Sequence, residues 1–326
     1  MKAPRFWSNP PERPGWQARL LAPAAGLWRL GAWWRGRRAA PYRAPVPVVC
    51  IGNLTAGGAG KTPMVAALLA RLAAQGRDPH VVSRGHGGQL IGPHRVDPDS
   101  DSHRDVGDEP LLLAALAPVW VARDRAAGVC AAAEAGAGLV LMDDGFQNPY
   151  VIKDGSILMV DAGPGFGNAR LIPAGPLREP AADGLARADV VVLVGTEAER
   201  RAAAGRWPAL AGAVAARLRP RRTGLSLAGE RVLAFAGIGR PGKFFATLRA
   251  MGAEIVEAVA FADHCAYPPA VLRRLRRRAL AEGAMLVTTE KDAVRLPSEF
   301  RPEVVVVQVY LEPDDWAPID QVFAQL

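Results

Sequence analysis

Residues 55–63, TAGGAGKTP, lie between a short apolar run at 46–51 and a segment, 62–75, that sets Val65, Leu68, Leu69 and Leu72 on one helical side. A strand, a glycine-rich turn and a helix in that order are the setting of a phosphate-binding loop, and Gly60-Lys61-Thr62 fill the second half of G-x-x-x-x-G-K-[ST]. The pattern should open on glycine, and Thr55 stands there. That loss matters only if the position needs a positive φ or close packing; otherwise the threonine hydroxyl can close the turn. The nucleotide-contacting set then runs through Thr55, Gly57, Gly58, Ala59, Gly60, Lys61 and Thr62. Backbone N–H groups from Gly57 to Lys61 can point at phosphate oxygens, helped by the helix N-terminus. Lys61 reaches the β- and γ-phosphates, and the Thr62 hydroxyl ligates Mg²⁺.

The rest of the chain agrees with such a loop. Apolar runs at 80–83, 119–122, 139–142, 157–160 and 190–194 read as buried strands. Unbroken apolar strands alternating with helices imply a mostly parallel sheet flanked by helices, an α/β fold of the P-loop NTPase-like kind. Near 217–222, RLRPRR, the composition turns polar and a second, smaller α/β domain begins. Its strands are expected at 232–236, 255–261, 285–289 and 304–310, and its helices at 241–251 and 269–282. The expected division is 1–45, 46–220 and 221–326.

The first 45 residues hold five of the eight tryptophans, with Arg19, Arg29, Arg35, Arg37 and Arg38 interleaved. A helix from Pro23 to about Arg38 would place Leu27, Leu30, Gly31 and Trp34 on one face. Arginine and tryptophan around an apolar stripe suit an amphipathic helix in a bilayer interface; the same face could instead pack on the domain. No run reaches the ~18 apolar residues a membrane span requires, and Pro23 with the preceding arginines argues against a signal peptide. The formal charge of +8 favours acidic partners without choosing among them. Cys50, Cys130 and Cys265 lack metal-ligand spacing and read as small buried residues in a reducing compartment.

A P-loop needs an acid at the end of a neighbouring strand, and GLVLMDDGFQN supplies Asp143 and Asp144 there. Strand alternation parts the two carboxylates, so one can serve a metal and the other can face the reacting centre. SRGHGG (83–88) ends another strand. GDEP (107–110) offers Asp108 and Glu109, with Asp108 a possible helix cap. NARLIPAGPLREP (168–180) presents Arg170, Arg178 and Glu179, and FADHCAY places Asp263 and His264 at the end of a strand of the second unit.

Taken together, GNLTAGGAGKTP, SRGHGG, GDEP, DDGFQN, LIPAGPLREP, FAGIGRPGKFF, ADHCAY and TTEKDAVR resemble, in order, the blocks of the tetraacyldisaccharide 4'-kinases of lipid A biosynthesis. In that family the loop begins with threonine. The resemblance implies transfer of the γ-phosphate of ATP to the 4'-hydroxyl of a tetraacyldisaccharide 1-phosphate, giving lipid IVA. It further implies a peripheral enzyme on the cytoplasmic face of the inner membrane, with the site in a cleft between two α/β domains. Its partners would be ATP, an acylated disaccharide phosphate lipid and the anionic inner-membrane surface, with no nucleic acid. Lys61, Asp108 and His264 match catalytic positions; Thr62, Asp143, Asp144 and Glu109 match metal positions; Arg178 matches a substrate position. Closure of the cleft would bring Asp108 to His264. His86 and Asn148 depart from the family, which commonly has tyrosine and histidine there.

The rival readings each lack a defining feature. A partitioning or targeting P-loop ATPase needs a lysine where Ala56 stands. A GTP-binding module needs N-K-x-D, which TEKD at 289–292 does not match. A basic nucleic-acid binder would interleave aromatics with arginines in the second unit.

Overall fold

A computed structural model describes residues 3–221 and 224–326. The apolar runs of the first unit become β1 (Val48–Gly52), β2 (Pro79–Ser83), β3 (His94–Arg95), β4 (Val119–Val121), β5 (Leu139–Asp143), β6 (Gly155–Asp161), β7 (Val190–Val194) and β8 (Val214–Pro220). Those of the second become β9 (Arg231–Ala236), β10 (Glu254–Ala260), β11 (Met285–Thr289) and β12 (Val304–Val307), and the chain ends through β13 (Val309–Pro313) and the helix Ala317–Ala324. The large sheet has the order β13-β8-β7-β6-β1-β5-β2-β4-β3, and the small one β10-β9-β11-β12. The large sheet is parallel except at its two edges, where β3 pairs antiparallel with β4 and β13 with β8.

The central strand explains the layering. Val49 and Ile51 of β1 face a core formed with Met64, Leu68 and Leu72 of the helix Lys61–Ala74. Val48 and Cys50 face the opposite core with Val129, Phe146 and Phe166. Period-two alternation thus serves two helical layers at once, so β1 has no polar face. Of the three cysteines only Cys50 is fully buried; Cys130 and Cys265 are half-buried. Burial pushes the Cys50 thiol up to about 12.

Two boundaries differ from the sequence reading. The valine-rich run 304–310 is not one strand, because β12 closes the small sheet and β13 joins the large one. Residues 309–326 therefore belong to the first domain and not to a unit beginning at 221. An unbroken apolar run carries no mark of where it changes sheets. The arginine-rich segment also belongs to the first domain through β8, where Arg217 and Arg219 meet Glu312 of β13; Arg222 lies outside the described residues.

The N-terminal helix spans Ala22–Arg38 and buries only Ala25. Its Leu27, Leu30, Trp33 and Trp34 are 72, 54, 53 and 50% exposed, so this face does not pack on the domain. Arg37 and Arg38 stack over Trp33 and Trp34 at 4.7 and 4.3 Å. No described helix is long and apolar enough to cross a membrane.

Candidate active site

The strand order reverses around β1, flanked by β5 and β6, and in open parallel sheets ligands sit beyond the strand C-termini at such a point. The glycine loop leaves β1 there. Gly60 precedes the helix Lys61–Ala74 with a φ of 83°, a conformation that favours glycine. Thr55 has no positive φ, so glycine is not required; its backbone forms an antiparallel bridge with Leu177. The turn is closed from outside and not by the threonine hydroxyl, which makes no hydrogen bond among the described residues. Ala56 N–H donates to Pro176 O at 2.8 Å, and Arg178 N–H to Leu54 O at 2.8 Å. Fully buried Asn53 donates to Thr55 O at 2.8 Å and Gly57 O at 3.1 Å, while its Oδ1 accepts from Lys61 Nζ at 3.1 Å.

Because β5 is the neighbour of β1, Ile51 lies opposite Asp143 and the acidic pair emerges beside the loop. Asp143 is 1% exposed; its Oδ2 accepts from Ser83 Oγ at 3.4 Å, and its buried Oδ1 has no partner. Burial, followed by the nearby Glu109 carboxylate, pushes Asp143 up to about 7 against the pull of Lys61. Asp144 turns away through a left-handed φ of 52°. It sits 3.4 Å from Lys61 Nζ and 2.8 Å from Arg178 Nη1. Burial alone would raise its pKa, but these two cations bring it down to about 2. A buried carboxylate oxygen without a donor can accept a cation, whereas Asp144 is already neutralised. Among the described residues no three histidine, cysteine or carboxylate side chains gather as a metal cage. Mg²⁺ does not need one, since it is commonly held by one or two carboxylates with water and phosphate oxygens.

The second domain completes the cluster. Asp108 is the first residue of the helix Asp108–Ala114, and Gly107 occupies the cap position foreseen for it. A Cβ at Gly107 would stand 2.6 Å from His86 O, so the SRGHGG turn and this helix meet backbone to backbone. His264, at a left-handed φ of 54°, shares a hydrogen bond from Nδ1 to Asp108 Oδ2 at 2.8 Å. This bond, outweighing burial, raises the imidazole above its ordinary range. The pair is thus already made across the domain boundary, where cleft closure had been expected to make it. Asp263 Oδ1 lies 3.8 Å from His264 Nε2, and the His86 ring meets His264 edge-on at 5.5 Å.

Two residues of TTEKDAVR come with His264. Arg295, 2% exposed in its side chain, places Nε 3.1 Å from Asp108 Oδ2. It also donates to Gly237 O and Cys265 O at 3.1 and 3.2 Å, tying down the loop that carries His264. Lys291 pairs with Glu109. Burial pushes Glu109 up, but Lys291, followed by Lys61 and the Thr62 hydroxyl, brings it down to about 2. On the other flank Gln147 bridges Asn53 O at 2.9 Å and Glu179 Oε1 at 2.8 Å.

Lys61, Thr62, Asp108, Glu109, Asp143, Asp144, Arg178 and His264 therefore converge on one site. Arg170 is exposed and stands outside it, and Asn148 caps a turn by accepting from Tyr150 N–H at 2.9 Å. Asn53, Gln147, Lys291 and Arg295 received no role from the sequence. Their only signal was membership of the blocks GNLTAGGAGKTP, DDGFQN and TTEKDAVR.

Fold and site together define a P-loop phosphotransferase. Residues 17–326 match the model of the LpxK family, tetraacyldisaccharide-1-P 4'-kinase, and the chain belongs to that family. It is 54% identical to the tetraacyldisaccharide 4'-kinase of Rhodospirillum centenum, over 100% of this chain and 97% of the relative. It is 51% identical to that of Dinoroseobacter shibae, over 95% and 93%. A crystal structure of LpxK from Aquifex aeolicus in complex with ATP superposes with a TM-score of 0.73 at 26% identity, covering 94% of this chain and 98% of that one.

Proposed function

We propose that this chain transfers the γ-phosphoryl group of ATP to the 4'-hydroxyl of a tetraacyldisaccharide 1-phosphate, the step that gives lipid IVA, at the cytoplasmic face of the inner membrane. The observation that carries this reading is the 2.8 Å hydrogen bond between Asp108 and His264, which sets a base beside a phosphate-binding loop. An ATPase that only hydrolyses or switches has no need of a base delivered by a second domain.

The residues divide the work by charge. Lys61 reaches the β- and γ-phosphates, and the loop N–H groups hold the rest of the triphosphate. Arg178, beside Asp144, faces the substrate side. Asp108 orients His264 and favours its protonated form, so that His264 Nε2 takes the proton of the sugar hydroxyl as the new P–O bond forms. Such a base contributes about 10²–10⁴-fold. Mg²⁺, when bound, draws charge from the phosphate oxygens; Asp143, with its unpartnered Oδ1, and the Thr62 hydroxyl would hold it.

The exposed Leu27, Leu30, Trp33 and Trp34, among arginines, fit a helix that lies in the headgroup region. An enzyme acting on a lipid buried by its acyl chains has to meet it at that surface. The test is transfer of labelled γ-phosphate to the tetraacyl disaccharide 1-phosphate in mixed micelles, with Lys61→Ala alongside. Labelling of the lipid that vanishes in the variant is expected. A wild-type protein that binds ATP yet labels no lipid would overturn the assignment.

A further inference from the structure

Lys291 is the second residue of the helix Glu290–Ala293, which follows β11 directly, and it reaches across the domain boundary to Glu109, 182 residues away in sequence. Its backbone is fixed, because Arg295 Nε donates to Lys291 O at 3.0 Å. Its side chain is 30% exposed, so part of it remains open to solvent. Glu109 follows Asp108 in the helix Asp108–Ala114, and the charge of Lys61 and the Thr62 hydroxyl help to hold its carboxylate down to about 2, so the Lys291 ammonium is one carboxylate away from the phosphate loop. Two cations of the first domain near this point, Lys61 of the loop and Arg178 of the 168–180 segment, are shared with Asp144. Among the described residues, the other second-domain cation at this flank, Arg295, is locked on Asp108 and two carbonyl oxygens.

We propose that Lys291 is a catalytic residue for the kinase reaction, a cation of the second domain that moves from Glu109 to the phosphoryl group in flight. The inference rests on the kinase reading. In the step, the bond between the γ-phosphorus and the 4'-oxygen forms, the bridging β–γ P–O bond breaks, ADP leaves, and the hydroxyl proton goes to His264. Charge spread over the equatorial oxygens in that loose transition state has to be met by positioned cations. A lysine on a flexible stem is a point charge able to swing between a carboxylate and a phosphoryl oxygen. Glu109 holds it in place until then.

The test compares the wild type with Lys291→Gln, whose amide can still donate to Glu109, and Lys291→Arg, which keeps the charge. Three quantities are measured: kcat for lipid phosphorylation, Kd for ATP, and Kd for ADP with aluminium fluoride, a mimic of the phosphoryl in flight. For Lys291→Gln the expectation is a kcat lower by about 10²–10³-fold, the usual effect of removing one transition-state donor. Affinity for ADP–aluminium fluoride should fall in parallel while ATP affinity stays within threefold or so. Lys291→Arg should remain within about tenfold of the wild type in kcat. A static ion pair would behave differently, with lower thermal stability and unchanged kcat, and that result overturns the proposal. So does equal loss of ATP and mimic affinity. Should the glutamine variant not fold, a folded arginine variant without transfer overturns it, and one with transfer and mimic binding supports it. A wild type that itself labels no lipid refutes the kinase reading and not this residue.

Discussion

At the residue scale, the environment of His264 sets a pH dependence. Its pKa is raised, first by the hydrogen bond to Asp108, against burial, which acts the other way. A base must be neutral, so kcat should climb as pH rises through this raised value and level off above it. Stability runs in the opposite sense. A raised folded pKa adds stability that is fully present below the unfolded value and is lost as pH rises through the folded one. Asp108→Asn removes the main cause of the elevation and leaves burial in control. The acidic limb of the kcat profile should then move to lower pH, and turnover should fall by about 10²–10⁴-fold while ATP affinity stays near wild type. A profile whose limb stays in place would show that another group titrates. The acids and the histidine of this constellation were legible in the sequence because each lies at or shortly past the end of a strand, or in the first turn of a helix, in a distinctive block. Arg295 was not, because its meaning is a contact with Asp108 formed only when two domains pack.

At the element scale, the helix Ala22–Arg38 is bound to the site, among the described residues, by one side-chain donor. Trp28 Nε1 donates to Arg178 O at 2.9 Å, and the next backbone group in that segment pairs with the phosphate loop. The sequence pattern identified its arginine and tryptophan composition but left open which neighbour its apolar face would meet; the structure leaves that face exposed. Leu27→Glu combined with Leu30→Glu should therefore leave the melting temperature nearly unchanged, since exposed substitutions act within about 0.5 kcal/mol. Each leucine inserted into an interface contributes on the order of 1.5 kcal/mol or more. The double variant should thus lose about 100-fold or more in partition to anionic vesicles. Co-sedimentation measures this. Undiminished sedimentation would mean that this helix does not bind the vesicles.

At the scale of the whole molecule, the described contacts between the two domains near the site are mainly ionic, with the His86 ring edge-on to His264 beside them. His264 and Arg295 meet Asp108, and Lys291 meets Glu109. On the far side of the P-loop strand, Asp161 at the end of β6 receives Arg240 Nη1 at 2.6 Å and Lys243 Nζ at 2.8 Å from the start of the helix Pro241–Ala250. Both flanks of the cleft are thus held by side chains of one sign from the second domain on carboxylates of the first. Sequence alone could place these residues in their elements. It could not reveal that the last strand crosses back to the large sheet, which makes the second domain an insertion with two connections and restricts how it can rock. The Asp161 clamp should matter to turnover and not to nucleotide binding, because the phosphate loop and its partners, Asn53 and the 176–178 segment, lie wholly in the first domain. Asp161→Asn keeps one acceptor and removes the charge; Asp161→Ala removes both. The two variants should lower kcat in that order, with ATP affinity unchanged and with faster amide exchange in the helix Pro241–Ala250. Asp161 is only 11% exposed in its side chain, so salt should screen this pair less than a surface pair. If kcat and exchange in that helix both match the wild type, the domain arrangement rests on the Asp108 flank alone, and Arg240 and Lys243 are free to meet a ligand.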